Sequence, residues 1–127
     1  MSLRLRPLLA LAFATAMFAA CGDERGEPTG STCPTGSTLT YTSFAAPFME
    51  KYCTRCHSST RSGKDRHGAP AFHDFDTEAG ILAVAEHIDE NAAAGPDASN
   101  DVMPPSSPRP TEEERKQLGE WLACATR

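Results

Sequence analysis

Residues 53–57 read Cys53-Thr54-Arg55-Cys56-His57, two thiols three positions apart with a histidine directly after the second. At that spacing each thiol can add to one vinyl group of the same haem, and the histidine can reach the iron from the same side. C-x-x-C-H is the pattern of c-type haem attachment, whereas a bare C-x-x-C reads differently. A covalently held macrocycle also constrains the fold. Aromatic residues make up only 7% of the 127-residue chain. A small domain so composed has a thin apolar core. The haem would supply much of the missing buried surface, and without it the chain is expected to be molten or unfolded.

The N-terminus reads as an export signal over residues 1–20. Arg4 and Arg6 precede a short apolar run from Leu8 to Phe18. That run is shorter than the roughly 20 residues a membrane-spanning helix needs and matches a signal-peptide core. Phe18-Ala19-Ala20-Cys21-Gly22 is similar to a bacterial lipobox, in which Cys21 takes the lipid and becomes the mature N-terminus. Phe18 stands where most lipoboxes carry an aliphatic residue. The other reading is ordinary cleavage nearby, with Ala14-Thr15-Ala16 as a candidate, giving a soluble periplasmic protein. A lipid on Cys21 would hold the protein to a membrane surface without spanning it.

Cleavage before Cys21 leaves 107 residues with 10 basic and 17 acidic side chains, a net charge of −7. This size fits one small domain with a tether. The balance argues against a nucleic-acid partner. It suits encounter with a positively charged partner protein, or a solvated acidic surface with no partner role.

The five cysteines divide completely. Cys21 is assigned to lipid, and Cys53 and Cys56 to haem. Cys33 and Cys124 remain, and in an oxidising compartment they are expected to pair. Their separation of 91 residues corresponds to roughly 4–5 kcal/mol of loop-closure stabilisation.

Residues 21–38, rich in Gly, Ser, Thr, Pro and charge, read as a flexible tether, and residues 39–127 as the haem domain. A first helix is predicted to start near Thr42 or Ser43, with Phe44, Phe48 and Tyr52 on one face, and to run into Cys53. Pro47 falls at its first turn. Residues 58–75 read as loop. A second helix is predicted from Asp76 or Thr77 through the stripe Ile81, Val84, Ala85, Ile88 and Ala92, ending at Gly95-Pro96. Residues 96–110 form a proline-rich loop that carries Met103. A third helix begins at Thr111, which makes a capping box with Glu114, and its stripe is Leu118, Trp121, Leu122 and Ala125. No segment reads as a strand, so the expected fold class is all-α: about three helices with long loops around one haem.

A helix leading into C-x-x-C-H, a middle helix, the segment Val102-Met103-Pro104-Pro105 and a C-terminal helix resemble the class I c-type cytochromes over most of residues 40–125. Gly68-Ala69-Pro70 and the outer cysteine pair are similar to a narrower group of exported, often lipid-anchored bacterial members. The resemblance implies that the first and last helices cross near one haem edge, with Phe44 and Phe48 against Leu118, Trp121 and Leu122. It implies His57 as the proximal iron ligand and the carbonyl of Pro70 as the acceptor that orients its other ring nitrogen. It implies Met103 as the sixth ligand, whose soft thioether favours the ferrous state. The prolines after Met103 would limit where its sulfur points, and Met49 reads as packing. His67, His73 and His87 are the rivals for the sixth position. Arg61, Lys64 and Arg66 read as a solvated loop or as charge near a propionate. Trp121 could meet a propionate or fill the core.

The functional expectation is a single-electron carrier with one haem c, exported, and partnered by redox proteins. It transforms no small-molecule substrate and is not itself an enzyme, although it could be the cytochrome subunit of an oxidoreductase. The alternative is a haem sensor or ligand-binding module in which Met103 leaves the iron. Zinc would want a second cysteine pair, and a thioredoxin-like site would want a βαβ setting. Neither is present in the sequence.

Overall fold

The computed structural model describes residues 25–127. The signal segment and Cys21 lie outside the described residues. Four α-helices follow in order: α1 (Ala46–Tyr52), α2 (Glu78–Leu82), α3 (Ala85–Ala92) and α4 (Glu112–Ala125). Among the described residues there is no strand, only an isolated antiparallel bridge between Ala94 and Ser99. The fold is all-α, and no helix among the described residues is long and apolar enough to cross a membrane.

The first helical segment starts earlier than predicted. Thr40, in extended conformation, takes the N-cap position, and its hydroxyl accepts from the Ser43 amide at 3.0 Å. The Ser43 hydroxyl accepts in return from the Thr40 amide at 3.1 Å, so Ser43 closes the capping box instead of opening the helix. Residues Tyr41–Ala45 form a wide π-turn leading into α1. Pro47 follows directly, within the first two positions of α1. It has no N–H to give to the carbonyl four residues back, so the α-helical ladder is established only beyond it.

The predicted second helix is two helices. Thr77 caps α2, as expected, through the Gly80 amide at 3.1 Å. The chain then breaks at Val84, whose φ of −132° and ψ of 31° leave the helical region. Gly80 lets α2 lie close to the preceding loop: a Cβ there would meet the Asp74 carbonyl oxygen at 2.0 Å. α3 ends at Ala93, short of the predicted Gly95-Pro96, because Ala93 is extended and its carbonyl accepts from the Asn100 amide at 2.9 Å.

Residues 25–38 are not a free tether. Thr29 is fully buried, and both its amide and its hydroxyl donate to Asp89, at 2.8 and 2.6 Å. The Gly26 amide donates to the Glu90 carbonyl, and Glu27 exchanges two hydrogen bonds with the Asn100 side chain. Gly119 makes room for this strap, since a Cβ there would lie 2.3 Å from the Ser31 hydroxyl. Composition suggested flexibility, but the side chains of Thr29, Ser31 and Ser37 each find a partner in the rest of the domain, in Asp89, the Ala94 carbonyl and Glu120. The Cys33–Cys124 disulfide then ties the strap to the end of α4, with Cα atoms 4.7 Å apart.

The core gathers Phe48, Met49 and Tyr52 from α1, Ile81 from α2, Ile88 from α3 and Leu118, Trp121 and Leu122 from α4, with Phe44 packed against it. Trp121 is a core residue, 2% exposed. α4 is capped as predicted. The Thr111 hydroxyl accepts from the Glu114 amide, and the Glu114 carboxylate accepts from the Thr111 amide. Glu114 also takes the Tyr52 hydroxyl at 2.8 Å and Lys51 at 3.3 Å, which joins α4 to α1.

Two predictions follow from these ties. The Thr111 amide, chiefly, with the Tyr52 and Thr111 hydroxyls and Lys51, holds the Glu114 carboxyl down at about 2, against an ordinary value of 4.5. A carboxyl lowered on folding contributes stability that is fully present above its unfolded value and is lost as pH falls from there through the folded one. Glu114→Gln is therefore expected to lose about 1 kcal/mol at neutral pH, the worth of a cap on a partly solvated group, and to approach the stability of the unsubstituted chain below pH ~2. Urea titrations of both chains at several pH values between those limits check this. Cys33→Ala is expected to cost roughly 4 kcal/mol. If a reductant destabilises the unsubstituted chain and that variant equally, the bridge is not the source of the difference.

Candidate haem site

α1 delivers the C-x-x-C-H segment through its own ending. The Cys53 and Thr54 amides still donate to the Met49 carbonyl, at 2.8 and 2.9 Å. The Cys53 carbonyl then accepts from both the Cys56 and His57 amides at 3.0 Å. The pentapeptide is thus a tight turn at a helix end, its geometry set by backbone bonds before any ligand is considered.

Cys53, Cys56 and His57 line a cavity of about 520 Å³. Pro70, His73 and Phe75 from the loop 58–75 line it too, as do Ile88 and Ala92 from α3, Leu118 from α4, and Met103, Pro104 and Pro105 from the loop 96–110. The sequence-predicted residues Cys53, Cys56, His57, Pro70 and Met103 therefore meet around one space. So do the rival ligands His67, His73 and His87. The volume lies within the roughly 300–1,000 Å³ typical of small-molecule and cofactor sites. Among the described residues, no cluster of three or more His, Cys, Asp or Glu side chains is placed to hold a bare metal ion. The donor set of two thiols, an imidazole and a thioether around a mainly apolar space fits a macrocycle that brings its own metal.

The His57 ring stacks on Phe75, with centroids 4.5 Å apart and planes 7° from parallel. Its Nδ1 lies 3.2 Å from the His73 carbonyl oxygen. With Nδ1 so engaged, Nε2 is the nitrogen left for a metal. Desolvation lowers the His57 pKa, with the His73 carbonyl opposing it. The ring is held neutral, the form that ligates. Desolvation pushes the Cys53 thiol up to about 12, against the opposing charges of Arg115 and Arg55. It is therefore a protonated thiol at neutral pH.

The acceptor expected at Pro70 is a correction. Its carbonyl accepts from Arg66 Nη2 at 2.7 Å and is not the partner of His57. His73 takes that role because the loop turns between the two positions, with Phe72 at a φ of 68° and 87% exposed. Arg66 is a second correction. It is 8% exposed, not solvated. Its guanidinium donates to the carbonyls of Ser58 (2.8 Å), Ala69 (3.2 Å), Pro70 (2.7 Å) and His73 (3.1 Å) and pairs with Asp74 at 2.7 Å. The His73 carbonyl that orients His57 is thus itself held by Arg66.

Met103 stands on a loop that is fixed at several points. Its amide donates to the Asn91 carbonyl at 2.8 Å, and its own carbonyl accepts from Arg115 at 2.9 Å. Its side chain is 38% exposed. Arg115, 4% exposed, was missed in the sequence. The signal was available: Arg115 stands three residues before Leu118 and seven before Leu122, on the buried stripe of α4.

Arg66→Met should remove one hydrogen bond from each of four loop carbonyls and leave Asp74 without its cation. The expected loss is about 3 kcal/mol, and Arg66→Lys should restore only part of it, since an ammonium cannot reproduce the planar fork. Chemical denaturation of the three chains measures it, and equal stability of all three would remove Arg66 from its central place.

Comparison of the chain with protein-family models, with characterised proteins and with solved structures finds no match, and the case for its chemistry rests on the side chains described above.

Proposed function

We propose that the chain is a single-electron carrier with one covalently attached haem c, working outside the cytoplasm in an electron-transfer chain or as the cytochrome subunit of an oxidoreductase. The observation that carries the reading is the convergence of both thiols of the C-x-x-C-H turn, the His57 imidazole and Met103 on one mainly apolar cavity. In this reading the all-α fold is a class I cytochrome c-like domain closed around the haem.

Haem, when bound, supplies a ferric/ferrous couple at potentials that its axial ligands tune. Cys53 and Cys56 would hold it as thioethers, and His57 and Met103 would ligate its iron. The chain's own work is positional. Phe75 and the His73 carbonyl fix the plane and tautomer of His57, so the proximal ligand needs little rearrangement between oxidation states. Ile88, Ala92 and Leu118 line the cavity with hydrocarbon and keep water from it. In this reading the protein is a carrier and not an enzyme. The disulfide is consistent with an oxidising compartment. Redox proteins are the proposed partners, with attachment to a membrane surface through a lipid on Cys21.

A second reading, a haem-based sensor with a labile sixth ligand, draws on the partial exposure of Met103 and on the imidazoles of His73 and His87, whose rings lie 5.4 Å apart beside the same cavity. Absorption spectra of the full chain, matured in an exporting host, decide between them. The carrier reading expects a c-type spectrum with sharp visible bands on reduction. The oxidised protein should show the weak near-infrared band of methionine ligation, and Met103→Ala should abolish it. A haem spectrum without that band would favour histidine ligation or an open sixth site. Absence of haem from the matured chain would overturn the proposal.

A further inference from the structure

Two arginines, from unrelated parts of the chain, grip the Met103 loop on either side of the methionine. On α4, the buried Arg115 directs Nη1 to the carbonyls of Ala92 (2.7 Å), Asn100 (2.9 Å) and Met103 (2.9 Å). In the attachment turn, Arg55 directs Nη1 to the Ser107 carbonyl at 2.8 Å and Nη2 to the Ser106 carbonyl and hydroxyl at 2.7 and 3.0 Å. We propose that Arg115 and Arg55 are positioning residues that clamp segment 100–107 and so set how readily Met103 can leave the sixth ligand position. The ligand step rests on the haem function proposed above, while the clamp on the backbone does not.

The pinned carbonyls bracket the ligand. Those of Asn100 and Met103 itself lie on one side, and those of Ser106 and Ser107 on the other. A guanidinium–carbonyl hydrogen bond is charge-assisted and stronger than a neutral one. For Met103 to swing away, the segment must either carry both grips with it or break them. Neither grip can follow easily, because one guanidinium is fixed to α4 and the other to the turn that holds both attachment cysteines. Arg55 makes these bonds from a half-buried position outside the hydrophobic core, so its role is not core packing. The competing explanation is that the prolines at 104, 105, 108 and 110 stiffen the loop unaided. That explanation expects no response to either arginine.

The test uses the full haem-loaded chain in the ferric state. Imidazole is the entering ligand, loss of the near-infrared band is the optical signal, and deuterium uptake is followed in the peptide spanning 96–110. In that peptide the Asn100 and Met103 amides are hydrogen-bonded reporters. Arg55→Ala should raise both the limiting rate of imidazole entry and the uptake rate about tenfold, which corresponds to roughly 1.4 kcal/mol of lost hold. Arg55→Lys should recover part of each. Arg115→Gln should exceed the Arg55→Ala effect. Should Arg115→Gln not fold, the Arg55 variants still decide. Unchanged imidazole entry and uptake in Arg55→Ala would overturn the clamp and leave the proposed function standing. Faster uptake in Arg55→Ala, in a chain whose unsubstituted form lacks the methionine band, would uphold the backbone clamp and overturn the ligand step together with the His57/Met103 reading.

Discussion

Backbone carbonyls in long loops have to be paired, and in this chain buried guanidiniums do much of the pairing. Half the domain is irregular, and helical ladders cannot serve those segments. Arg66 gathers four carbonyls of the loop 58–75, and Arg115 gathers three around the loop 96–110. A planar cation with five donors suits this task better than any other side chain. Its desolvation is offset because its hydrogens meet oxygen in the folded state. Among the described residues, no buried side-chain nitrogen or oxygen is left without a partner.

The two loops so organised both line the cavity. One brings His73 and Phe75 to His57, and the other brings Met103. The helices contribute apolar lining and the turn that holds the cysteines, while the loops contribute the groups that orient the imidazole, together with Met103. The disulfide and the packed strap close the two ends of the domain over α3 and α4.

Legibility in the sequence followed the range of the interactions. The Thr111–Glu114 box on α4 could be read directly, because cap and partner are three residues apart. The Cys33–Cys124 bridge was readable by elimination, once the other three cysteines had been assigned. The start at Thr40 was missed because Thr42 and Ser43 offered equally good capping chemistry nearby. The break at Val84 was missed because the apolar stripe continues straight through it. The strap was misread because its composition is that of a linker, and its partners, Asp89 and Asn100, lie more than 50 residues away. Arg115 was legible as a charge on an apolar stripe. Arg66 carried no such mark, since a loop has no periodicity against which a buried charge stands out.

By itself the sequence determined the C-x-x-C-H turn, the helix that ends in it, the capped α4 and the all-α class. These depend on covalent neighbours and on contacts three or four residues apart, which the order of residues specifies. Only the tertiary structure decided that the His73 carbonyl and not that of Pro70 faces His57, that Arg66 and Arg115 are interior, and that Arg55 reaches the Met103 loop. Each of these is a choice among many chemically equivalent carbonyls. That choice is made by where the folded backbone brings them, and no local pattern of residue types encodes it.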